Sequence, residues 1–230
     1  MTGAQSTQVI QRRFSNFDKS RFPVLCLARK LKLQIGDLAI LLHVRSGTLL
    51  RFMQNARPMQ RIVIIGSTGS GKSTLGRALA ARLGVPHTEM DTLHWLPGWI
   101  ERDDASFREL VDAFTAQPAW VIDGNYSVAR DLVWPRADTI IWLDYSFPRT
   151  AWQLLRRTRR RIFAGDRCCN GNEESLARSL GRDSILLWLL KTYWRNRRNY
   201  PKALAQYPHL KPLIFRSPAE TAAWLSGVGR

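Results

Sequence analysis

The stretch Gly66-Ser-Thr-Gly-Ser-Gly-Lys-Ser73 constrains this chain more than any other, because it satisfies the pattern G-x-x-x-x-G-K-[ST]. That pattern has mechanical meaning only between a strand and a helix, and both flanks fit. Arg61-Ile-Val-Ile-Ile65 is a β-branched run that stops at Gly66. Lys72 to Leu83 then sets Leu75, Leu79 and Leu83 on one helical face, with Gly84 as a stop. Glycines let successive amides turn inward toward phosphate oxygens, and the helix N-terminus adds partial positive charge. Gly66, Ser67, Thr68, Gly69, Ser70, Gly71, Lys72, Ser73 and Thr74 are therefore the candidate site for ATP. Lys72 is expected to reach the β- and γ-phosphates, Ser73 to offer its hydroxyl to Mg²⁺, and Thr74 to contact the α-phosphate. A Gly/Ser-rich turn without function is the competing reading, and the register of Lys-Ser between correct flanks argues against it.

The rest of the chain continues the alternation. Strands are predicted over Val85 to Met90, Ala119 to Asp123, Thr139 to Leu143 and Leu210 to Phe215. Helices are predicted from Asp103 or Asp104 to about Ala116, from Pro148 to Phe163, from Glu174 to about Asn199, and from Ala219 to Leu225, with Pro201 and Pro208 punctuating the chain. Such alternation implies an α/β fold: a P-loop core with a five-stranded parallel sheet flanked by helices and a helical, arginine-rich lid at about 156–199. Residues 59–230 form that domain, and residues 1–58 a basic N-terminal extension.

Charge separates these parts. The net charge is +17; residues 1–58 carry ten Lys/Arg against two acids, residues 59–150 nine against eleven, and residues 151–216 fifteen against four. An acidic core beside a basic back half suggests different tasks, and a basic segment can meet nucleic acid. Three cysteines, two of them adjacent as Cys168 and Cys169, fit neither a disulfide framework nor a zinc site. No apolar stretch approaches the roughly 20 residues of a membrane helix, and Met1 to Ser20 lacks the apolar run of a signal peptide. A cytoplasmic protein with no membrane association is expected, as monomer or dimer.

Phosphoryl transfer rests on positioning and charge compensation, so it needs an oxygen ligand field for Mg²⁺ and a group beside the acceptor. Asp123 ends Trp120-Val-Ile-Asp123 and is assigned to the metal; Asp91 follows the second strand and is assigned to the acceptor hydroxyl. Asp144 ends the fourth strand and rivals Asp123. Within Arg156–Arg161, Arg157 and Arg161 are four apart on one helical face and are the candidates for closing over the departing phosphate. Trp95, Trp99 and Tyr126 either line an acceptor pocket or fill the core; Trp99 is assigned to packing. These features predict an enzyme moving the γ-phosphate of ATP to a small acceptor. A DNA-associated, ATP-binding regulator is the alternative, and a core that binds nucleotide and a protein partner without transfer is a third.

Met59 to Leu225 resembles the bacterial DNA topology modulation proteins, of the adenylate kinase and shikimate kinase branch of P-loop proteins. The resemblance is carried by Ile64-Ile-Gly-Ser-Thr-Gly-Ser-Gly-Lys-Ser-Thr74, Met90-Asp-Thr-Leu-His-Trp95 with Pro97-Gly-Trp99, Trp120-Val-Ile-Asp-Gly-Asn-Tyr126 and Asn170-Gly-Asn-Glu-Glu174. It implies the acceptor role for Asp91, the Mg²⁺ role for Asp123, a lid role for Arg156–Arg161, and a place beside adenine for the loop near Ser217 and Pro218. Residues 1–58 depart from the family pattern and leave three readings open: a true start at Met59, a helix-turn-helix over Gly36 to Met53 with His43 where glycine is usual, or a basic arm.

Overall fold

The computed structural model describes residues 59–165, 168–173, 181 and 184–229, all within the unit Pro58–Arg230. The readings placed on residues 1–58 lie outside the described residues. At the centre is β1 (Arg61–Gly66), whose Ile62, Val63, Ile64 and Ile65 are buried on both faces. It pairs in parallel with β5 (Trp120–Asp123) on one side and β6 (Thr139–Leu143) on the other. The outer strands are β2 (His87–Glu89) and β7 (Lys211–Phe215), giving the order β2-β5-β1-β6-β7, all parallel.

Alternate residues of these strands feed two cores, as the period of two requires. Val63, Ile65, Trp120, Ile122, Ile140 and Trp142 face one layer, which includes Phe107 and Val111 of α3 (Asp104–Thr115) and Val133 and Trp134 of α4 (Arg130–Arg136). Ile62, Ile64, Val121, Ile141 and Leu143 face the other, with Leu75 and Leu79 of α1 (Lys72–Leu83) and Trp224 and Leu225 of α7 (Pro218–Gly227). Helices cover both faces. Each fully buried isoleucine or leucine contributes roughly 1.5–3 kcal/mol, so the central strand is the most firmly anchored element. Parallel pairing also brings every strand's C-terminal end to one edge: Ile64 and Glu89 both register with Asp123, and Gly66 with Leu143.

Local chemistry accounts for most boundaries. Asp103 caps α3 by accepting from the Ser106 amide at 2.9 Å, and Gly84 closes α1 in the left-handed region. Three expectations are corrected. The second strand stops at Glu89, because Met90 opens the short α2 (Met90–His94) and packs against Gly124, where a Cβ would stand 2.5 Å from the Met90 Cβ. The expected helix from Glu174 is not continuous to Asn199: Gly181 lies in a bend and Ser184 caps α6 (Ile185–Leu204). Pro201 does not end that helix, since buried Tyr200 and Ala203 anchor the last turn to the sheet, Tyr200 with its ring edge-on to Trp142.

Sequence reading missed a small hairpin, β3 (Trp95–Leu96) with β4 (Ile100–Glu101), and the turn Ser127–Ala129 leading into α4. The basic helix appears as α5 (Phe147–Ala164), with proline in its first turn. Its buried Leu154 packs with Leu189 and Tyr193 of α6.

Candidate phosphate and metal site

The loop between β1 and α1 is shaped by two close approaches. At Gly66 (φ 154°) a Cβ would lie 2.8 Å from Ser70 Oγ, and at Gly69 (φ 81°) 2.8 Å from Leu154 Cβ of α5. Glycine is required at both, and the second contact seats the loop directly on the basic helix. Gly71, in the left-handed region, stands at the N-cap of α1 with no side-chain cap, and the first turn holds no acidic residue. A helix start without an anionic side chain, beginning Lys72-Ser73-Thr74, leaves its amides and partial positive charge to an external anion. Ser70 Oγ is buried in the same loop without a hydrogen-bond partner. These features fit a polyphosphate. Thr68 is half-buried, and Thr74 is exposed.

Lys72 Nζ donates to Gly66 O at 3.1 Å and Ser67 O at 3.2 Å, which holds the ammonium along the loop. Burial pushes its pKa below the ordinary lysine value; Asp91, Asp123 and Glu89 pull it back, and Arg157 adds to the lowering. Lys72, Asp91, Asp123 and Arg157 thus share one electrostatic neighbourhood.

Asp123 is 3% exposed at the end of β5. Its Oδ1 accepts from Ser73 Oγ at 3.0 Å. The two residues assigned to Mg²⁺ from sequence therefore meet, across a separation of fifty positions. Among the described residues no group of three or more His, Cys, Asp or Glu side chains is arranged to hold a metal ion; a cation here would be held by Ser73, Asp123 and phosphate oxygens, which suits magnesium. Asp144 is committed elsewhere, its Oδ1 lying 2.9 Å from Arg197 Nε of α6.

Three further residues surround Asp123 and the loop, of which sequence reading had marked only Asn125. His87 Nε2 lies 2.8 Å from Asp123 Oδ2. Asn125 accepts from the Gly66 amide at 3.3 Å and donates to the Gly66 carbonyl, pinning the loop entrance to the strand beside it. Glu89 stands opposite Asp123 in the parallel register. The signal for Asn125 was present in its place after Asp123-Gly124; His87 and Glu89 carried none, because the strand register alone brings them in.

Asp91 is exposed on α2, and its Oδ1 accepts from Tyr126 Oη at 2.9 Å. Burial, then the Asp91 charge, raises the Tyr126 pKa far above the ordinary phenol range, so the phenol stays a donor. The His94 ring lies 4.7 Å from that of Tyr126 and 5.1 Å from that of Trp95. A turn after α5 is fastened to this wall: Asn170 donates to Thr92 O at 2.8 Å, and buried Asn172 donates to Leu96 O at 3.0 Å and accepts from the Trp99 amide at 2.9 Å. Trp99 has φ 62° and also donates through its indole to Glu173 O at 3.1 Å, so it ties the hairpin to this turn.

The Cys169 thiol is pushed up, first by its hydrogen bond with Cys168, then by burial and by the charges of Cys168 and Asp91; Arg161 opposes. Arg157 and Arg161 are half-buried, whereas Arg156, Arg159 and Arg160 are exposed. The pair singled out by its spacing is thus less exposed than the arginines around it, and the charge of Arg157 acts on Lys72 and that of Arg161 on Cys169.

No family model matches the chain. The shikimate kinase of Thermobifida fusca is 30% identical over 128 residues, covering 49% of this chain and 72% of that protein. The chain belongs to the adenylate kinase and shikimate kinase-like P-loop proteins. Two further shikimate kinases agree, that of Enterococcus faecalis at 40% identity over 58 residues and that of a Synechococcus strain at 34% over 110. Those alignments cover 22% and 42% of this chain, which spans 34% and 58% of the two relatives. Among solved structures, a gluconokinase from Sinorhizobium meliloti aligns with a TM-score of 0.44 at 22% identity, over 75% of this chain and 95% of that one. Among the described residues of this P-loop protein, no helix is long and apolar enough to cross a membrane.

Proposed function

We propose that this protein is an ATP-dependent kinase acting in the cytoplasm, transferring the γ-phosphate of ATP to a hydroxyl of a small acceptor with Mg²⁺ as cofactor. The observation that carries the reading is the Ser73–Asp123 contact beside the Lys72 ammonium, at the head of a helix with no capping side chain. Kinase names among the relatives support it over the DNA-associated regulator.

In this reading the inward amides of Gly66 to Thr74 and Lys72 Nζ hold the β- and γ-phosphates. Ser73 and Asp123 would hold the cation, which would supply positive charge against the phosphate oxygens. Asp91 orients the acceptor hydroxyl and accepts its proton as the oxygen bonds to the γ-phosphorus and the bond to ADP breaks. Tyr126 fixes the carboxylate that does so. Arg157 and Arg161 offset the charge that develops on the transferred group and help keep water out.

Calorimetry with ATP and Mg²⁺ on the folded chain tests the site, and transfer of γ-labelled phosphate into a pool of hydroxylated metabolites tests the reaction. Lys72→Ala should weaken ATP binding at least about tenfold, as expected for losing a charged hydrogen-bond donor. Absence of ATP and GTP binding by folded, magnesium-supplemented protein would refute the reading.

A further inference from the structure

Behind the proposed metal ligand, side chains from three separate elements meet. His87 of β2 contacts Asp123 Oδ2 at 2.8 Å, while Ser73 of α1 contacts Asp123 Oδ1 at 3.0 Å. A carboxylate only accepts, so His87 Nε2 carries the hydrogen in that contact. The pair is screened from solvent, with side-chain exposures of 11% and 4%. Space for the ring comes from Gly76 of α1, where a Cβ would stand 2.4 Å from His87 Nε2 and 3.3 Å from Asp123 Oδ2. The phosphate-binding helix is thus notched one turn after Ser73, and the notch is filled by the imidazole.

A carboxylate held at one oxygen still turns about its terminal torsion, which has a broad energy well. Held at both, it presents a fixed lone-pair direction. Groups that orient a metal's ligands in this way commonly control affinity tenfold to a hundredfold without touching the ion.

We propose that His87 is the positioning residue for Asp123: its Nε2–H fixes Oδ2 and so aims Oδ1 at Ser73, where the divalent cation on the ATP phosphates is received. The inference rests on the kinase reading above. His87 touches no reacting atom and acts only through Asp123; Gly76 is the residue that admits it.

The test is ATP affinity of the full chain by calorimetry, in Mg²⁺ and in EDTA, for the unmodified protein, His87→Met and His87→Gln. Methionine keeps the bulk and removes the donor, whereas the glutamine amide reaches the position of Nε2. The gain in affinity produced by Mg²⁺ should fall about tenfold or more in His87→Met and return to within about threefold in His87→Gln. Affinity in EDTA should stay within about twofold throughout, and Mn²⁺ bound to the protein–ATP complex, read by electron paramagnetic resonance, should follow the same order. An undiminished Mg²⁺ gain in His87→Met, or an equal loss with and without metal, overturns the assignment while leaving the kinase reading intact. Failure of the unmodified chain to bind ATP in either buffer overturns both. Should His87→Met not fold, His87→Asn replaces it, since its shorter amide stops short of Oδ2; equal gains for the Gln and Asn variants then overturn the proposal.

Discussion

Replacing Gly76 by alanine sets two opposing effects against each other, and the geometry decides between them. Gly76 has no positive φ and lies inside α1, so helix propensity alone favours alanine by about 0.8–1 kcal/mol. The added Cβ, however, would lie 2.4 Å from His87 Nε2 and 2.9 Å from His87 Cδ2, inside any tolerable contact. Its neighbours are a ring only 11% exposed and a carboxylate 4% exposed, so little can yield. Overpacking of this kind costs about 1–3 kcal/mol, and losing a hydrogen bond to a charged group about 1.5–3 kcal/mol. Net destabilisation of about 2–5 kcal/mol follows once the propensity gain is subtracted. With a urea m-value of about 2 kcal/mol/M, the unfolding midpoint should fall by about 1 M or more. Tryptophan fluorescence during urea titration reads this directly. A double-mutant cycle sharpens it: in a His87→Ala background the same Gly76→Ala change meets an empty notch and should be neutral or stabilising. A Gly76→Ala midpoint equal to or above that of the unmodified chain would refute the reasoning, as would a penalty that persists when the imidazole is gone.

Further outcomes follow from the same site geometry. Asp123→Asn should reduce the Mg²⁺-dependent part of ATP affinity at least about tenfold, while Asp144→Asn, which loses only a partly exposed ion pair to Arg197 worth about 1 kcal/mol, should leave it unchanged; calorimetry in Mg²⁺ and EDTA separates them, and the reverse order would make Asp144 the ligand. Lys72→Met should abolish tight ATP binding yet raise the thermal midpoint at neutral pH without nucleotide, because a desolvated ammonium is removed. The sign is fixed by proton counting: the folded Lys72 pKa is lowered, so at this residue the unfolded chain binds more protons, and its unfavourable contribution to the stability of the unmodified protein fades as pH rises toward the ordinary lysine value of 10.5. The advantage of the methionine variant should therefore shrink toward that pH, and a variant less stable than its parent at neutral pH contradicts the burial argument. Asn172→Ala strands the Trp99 amide and the Leu96 carbonyl; a loss of about 2–3 kcal/mol is expected, read as faster hydrogen exchange at the Trp99 amide than elsewhere in the hairpin.

The amino-acid sequence by itself determined what depends on contiguous backbone. The phosphate loop needs a β-branched run, glycines at fixed offsets and a helix start, all within Arg61 to Leu83, and each can be read in order. The Asp103 cap and the buried run Thr139–Leu143 were legible for the same reason. So was the pairing of Arg157 with Arg161, since helical periodicity is a local property.

What only the tertiary structure decided is which distant groups become neighbours. His87 looked like an ordinary strand residue until parallel pairing set it beside Asp123 and the notch at Gly76 left room for its ring. Asp123, preferred for the metal, and its rival Asp144 were both strand-end carboxylates in one dimension; Arg197, more than fifty residues further along, took Asp144 and left Asp123 to Ser73. Tyr126 was an aromatic residue of open role and Trp99 one assigned to packing until the fold gave the first a carboxylate and the second an asparagine clamp. Register and side-chain pairing depend on how layers pack, and packing sums many weak contacts between segments far apart in the chain, so no local pattern encodes it.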